Sequence, residues 1–79
     1  MNATWSEFTP EQKGKCREEI WRVLRSEGRG TQTGLMRRLA RDYAVVGEAL
    51  SALLAAGAVA LQTENGTKIY TAVQVRGES

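Results

Sequence analysis

Past Gly57 the spacing of apolar residues changes period. Val59 and Leu61 alternate, as do Ile69, Thr71, Val73 and Val75, whereas the earlier apolar runs recur every three or four residues. A side chain that meets a core every second residue belongs to a strand, and one that does so every three to four belongs to a helix. The chain is therefore restricted to helices first and a short antiparallel sheet last. Asn65-Gly66 separates the two alternating runs and is the dipeptide best suited to a tight hairpin.

Capping residues divide the helical part into three. Thr9 can cap, Pro10 suits a first helical position and Gln12 completes a capping box, so a helix of about four turns is predicted from there to Glu27, ending at Gly28. It turns Cys16, Ile20, Val23 and Leu24 inward, with Trp21 at the core edge, and carries a mostly basic stripe of Lys15, Arg22, Arg25 and Arg29 on its solvated side. Residues 28–32 read as extended. Thr33 is expected to cap a short second helix with Leu35, Met36 and Leu39 inward and Arg37, Arg38 and Arg41 outward. Asp42 caps a third, in which Val46, Ala49, Leu50, Leu53 and Leu54 face inward and Gly57 marks the end. That leaves Ala44, Gly47, Glu48, Ser51 and Ala55 outward, with Tyr43 at the rim.

Two hairpin registers fit the last segment. A two-residue Asn65-Gly66 turn sets Leu61 opposite Tyr70, and a Glu64-Asn65-Gly66 loop with a bulge sets it opposite Ile69. The second is expected, because it unites the apolar faces.

With 79 residues the chain has room for one domain, placed at 9–75, with an N-terminal extension at 1–8 and a tail at 76–79. A core of roughly a dozen aliphatic side chains is marginal against the entropy of ordering the chain. A homodimer is the expected remedy, and Trp5 and Phe8 in the otherwise patternless extension are its candidate contacts. No run approaches the ~20 apolar residues of a membrane span and the N-terminus lacks signal-peptide regions, so a soluble cytoplasmic protein with no membrane partner is expected. Cys16 is the single cysteine and falls on an apolar helix face, while histidine is absent. Neither an internal disulfide nor a zinc site is expected, and no cofactor or metal is implied. No nucleophile, base or metal set converges, so no catalytic residues and no enzymatic activity are expected.

The spacing of Leu35, Leu39, Val46, Leu50, Leu53, Gly57 and Val59, followed by a hairpin with Gly66, Ile69, Tyr70 and Val73, resembles the winged helix-turn-helix superfamily over residues 9–75. The resemblance implies a mainly α, α+β fold of three helices closed by a two- or three-stranded wing. It also implies roles. In DNA-binding members helix 3 enters the major groove, helix 2 lies across the phosphates, and the wing reaches an adjacent groove. Those roles fall to residues 42–55, to Arg37, Arg38 and Arg41, and to the loop carrying Lys68.

The third helix departs from that pattern. It holds no Lys, Arg, Asn or Gln, the side chains that most often read base edges, and its charges, Asp42 and Glu48, are acidic. The leading expectation is a small transcriptional regulator bound to double-stranded DNA. Arg37, Arg38, Arg41 and Lys68 would anchor phosphates, and Tyr43, Ala44, Gly47 and Ser51 would meet the groove. The alternative is a protein-interaction module or inhibitor whose third helix docks on a larger nucleoprotein complex. A net charge of +2 is compatible with either.

Overall fold

Thr9 Oγ1 accepts from the backbone N–H of Gln12 at 3.1 Å, and the Gln12 carboxamide oxygen accepts from the Thr9 N–H at 2.8 Å. This reciprocal box starts helix α1, Pro10–Glu27, which Gly28 closes with φ 92°. At 18 residues α1 runs five turns, one more than its apolar stripe suggests. The computed structural model describes residues 4–73; Val75 and the tail at 76–79 lie outside them.

Helix α2 spans Gln32–Leu39, and its cap is Thr31, whose hydroxyl accepts from Gly34 N–H at 3.0 Å. The expectation that Thr33 caps it is corrected: Thr33 lies inside the first turn. Helix α2 ends on Ala40, which adopts a left-handed φ of 54°. Arg41 therefore lies beyond α2, in the three-residue turn that also holds the next cap, rather than on the outer face of the helix. Asp42 caps α3, Tyr43–Ala55, by accepting from Ala44 N–H at 3.2 Å.

Strands β1, Val59–Glu64, and β2, Thr67–Ala72, pair antiparallel with Glu64 opposite Thr67 and Leu61 opposite Tyr70. The bulged register is thus overturned. Asn65 and Gly66 both take positive φ, 52° and 80°, as a type I′ turn requires. That turn matches the right-handed twist of the strands, and its geometry outweighs the gain from aligning the aliphatic residues. Tyr70 and Ala72 consequently share the core side with Val59, while Ile69 and Thr71 point to the other side, opposite to the alternation expected of them. A one-residue bridge adds the rudiment of a third strand: Gly30 and Tyr70 exchange backbone hydrogen bonds of 2.9 and 2.8 Å.

The core joins all of these elements. Cys16, Ile20 and Leu24 from α1, Leu35 from α2, Val45, Val46, Ala49, Leu50 and Leu53 from α3, and Val59 and Tyr70 from the hairpin are buried. Leu54, expected inward, is only half-buried, and Val45 takes a core place instead. Trp21 closes one edge, its indole N–H donating to the Ala58 carbonyl at 3.1 Å. Before α1, Trp5–Glu7 form a 3-10 turn that packs on α3, and the Trp5 and Phe8 rings lie 5.8 Å apart, partly buried against the core. Three helices closed by a two-stranded antiparallel hairpin make this a small, mainly α, α+β fold of winged-helix-like architecture. Among the described residues, no helix is long and apolar enough to cross a membrane.

Candidate nucleic-acid interface

A three-residue turn, 40–42, joins α2 to α3, and α3 keeps one face out of the core. Ala44, Glu48, Ser51 and Ala55 are exposed along it, and Tyr43, at its start, is 50% exposed. Ala44, Glu48, Ser51 and Ala55 lie three or four apart, so they form one strip running the length of the helix. The strip is poor in side chain and carries a single carboxylate, that of Glu48.

Gly47 belongs to the same strip but is half-covered. The Gln32 carboxamide lies over it, so close that a Cβ on Gly47 would stand 2.5 Å from Gln32 Nε2. The same nitrogen donates to the Tyr43 carbonyl at 3.0 Å. Gln32 was not among the residues expected at this face. The signal that could have found it is its place directly after the capping Thr31, which puts it at the first position of α2 and beside the start of α3.

The three arginines expected to clamp phosphates divide. Arg37 is exposed and makes no ion pair among the described residues. Arg38 pairs with Glu27 near the end of α1, both side chains about half exposed. Arg41 folds back on α1, its Nε donating to Glu19 Oε1 at 2.7 Å, with 29% of its side chain exposed. The hydrogen bond to Glu19 pushes the Arg41 guanidinium further up from its ordinary value, so it stays charged. Among the described residues, two of the three arginines are held by carboxylates of α1 and Arg37 makes no ion pair.

On the wing, Lys68 is exposed opposite Thr63, near the tip. Arg29 Nη1 donates to Glu64 Oε2 at 3.2 Å and ties the base of the turn to the segment after α1. The α1 stripe is largely engaged as well: Arg22 pairs with Glu18 at 2.8 Å, and Arg25 lies 5.2 Å over the Trp21 ring.

Burial pushes the Cys16 thiol up from its ordinary value of 9.0, which keeps it protonated and unreactive at neutral pH. Among the described residues, no group of three or more carboxylates and thiols converges on a point where a metal could sit. The described residues form a small α+β, winged-helix-like domain whose third helix keeps an open, nearly neutral strip. The chain matches no protein-family model, no curated protein and no solved structure.

Proposed function

We propose that this chain is a cytoplasmic, DNA-binding winged-helix regulator that lays the strip of α3 into the major groove. The supporting observation is the strip itself: Ala44, Ser51 and Ala55 are exposed and short, so the helix backbone can approach the groove floor closely. Arg37 on α2 and Lys68 on the wing are exposed cations on the neighbouring elements, suited to the phosphates of the groove walls. Affinity for a random-sequence duplex should fall steeply with salt, and Arg37→Ala should weaken binding on every sequence and flatten the salt slope by about one. Absence of binding at about 50 mM salt overturns the reading.

A second reading draws on a different observation. Glu48 stands in the middle of the strip, and Glu27 and Glu19 already engage two of the three arginines. Such a face suits another protein better than a polyanion, as an interaction module or an inhibitor does. That reading requires a stoichiometric protein complex that survives Arg37→Ala and is lost when Ser51 is enlarged to Tyr.

A further inference from the structure

The third helix has no Lys, Arg, Asn or Gln of its own, yet its open strip is not without a carboxamide. Gln32, from α2, supplies one. Its Nε2 is held by the Tyr43 carbonyl at 3.0 Å, and its amide group fills the space above Gly47, where a Cβ would stand 3.3 Å from Gln32 Cδ. Tyr43 and Gly47 are four residues apart and so lie on the same side of α3. The amide is therefore part of the surface of α3 although it belongs to another helix.

A carboxamide offers two N–H donors and one acceptor oxygen. The bond to Tyr43 is the only one Gln32 makes through its side chain among the described residues, leaving one N–H and Oε1 available. An adjacent donor and acceptor on one plane match the major-groove edge of adenine, which presents the N6 amino group as donor and N7 as acceptor. Neither Arg37 nor Lys68 can make that match, since both carry donors only. The hydroxyls of Tyr43 and Ser51 present a single oxygen each.

We infer that Gln32 is the base-reading residue of this interface, with Oε1 accepting from adenine N6–H and the free Nε2–H donating to N7. The inference rests on the DNA-binding reading above and adds to it a sequence preference and the residue responsible. Pinning by Tyr43 and Gly47 matters here, because a side chain already held in place loses little freedom on binding. Glycine at position 47 is what makes room for it.

Selection from a randomised duplex pool, run with wild type, Gln32→Ala, Gly47→Ala and Arg37→Ala, tests this directly. Wild type should enrich sites with one required adenine, preferred by roughly 5- to 150-fold over other bases, the range of a good bidentate contact. Gln32→Ala should lose that preference while keeping its affinity for unselected DNA within about threefold. Gly47→Ala should lose it too, because the new methyl evicts the amide, even though alanine favours the helix. Thermal melts of both variants verify that they fold. Arg37→Ala should bind all sequences less well and keep the preference. Replacing the selected adenine by 7-deazaadenine should weaken wild type and leave Gln32→Ala unmoved. A preference that survives Gln32→Ala overturns the inference and leaves DNA binding standing. So does a uniform loss on all sequences, which would make Gln32 a phosphate contact, or sequence-blind binding by wild type. No binding by wild type removes both.

Discussion

Ala40 ends α2 in the left-handed region, at φ 54°, without the side-chain hydrogen bond that lets asparagine adopt it readily. That conformation costs a β-carbon-bearing residue about 1–2 kcal/mol, whereas glycine adopts it freely but loses about 0.5–1 kcal/mol more backbone entropy on folding. Ala40→Gly should therefore stabilise the domain by up to about 1 kcal/mol, a rise in melting temperature of several degrees for a chain this short. A melting temperature that stays or falls would show that the turn carries no strain. Nothing in the sequence marked this position, because alanine carries no turn signal. The core was more legible: Cys16, Ile20, Leu24, Val46 and Leu50 all follow from helical spacing and all are buried. Val45 did not, since α3 touches α1, α2, β1 and the 3-10 turn and is covered on more than one side, which spacing on a single stripe cannot express.

At the scale of elements, the two errors share a cause: neighbouring residues of the same type compete for one local role, and geometry outside the segment chooses between them. Thr31 and Thr33 can both cap a helix. The extended bridge of Gly30 with Tyr70 leaves Thr31 in extended backbone, φ −109° and ψ 164°, which is what a capping residue needs. Thr31→Ala should accordingly cost about 1 kcal/mol, and Thr33→Ala less than about 0.5. Chemical denaturation of the two variants distinguishes them, and equal effects would mean the cap is shared. The misplaced cap also hid Gln32 from the candidate site, because it put that residue in a loop rather than at the head of α2. In the hairpin, Ile69 and Tyr70 both suit a core, and the Asn65-Gly66 turn decided for Tyr70, whose backbone also holds Gly30. The helix order, the hairpin and the exposed strip of α3 were legible. The partners of the arginines were not, since Glu27 and Arg38 are eleven residues apart and Glu19 and Arg41 twenty-two.

Over the whole molecule, the charge available to a polyanion is set by these internal pairs more than by the net +2. Glu27 bears on this most directly. It lies at the C-terminal end of α1, where a negative charge opposes the helix dipole, and its pair with Arg38 is half exposed, a geometry worth only a few tenths of a kcal/mol. Glu27→Gln should therefore leave folding stability within about 0.5 kcal/mol of wild type. Its effect on binding should be larger, because it removes a carboxylate that repels phosphate and releases Arg38 on the outer side of α2. If α2 lies along the phosphates, one more contact adds roughly 0.9 to the magnitude of the salt slope and raises affinity most at low salt. The gain should vanish in Glu27→Gln combined with Arg38→Ala, which separates release of Arg38 from the simple change in net charge. An unchanged slope in Glu27→Gln would place Arg38 away from the phosphates and leave Arg37 and Lys68 as the cations that border the α3 strip.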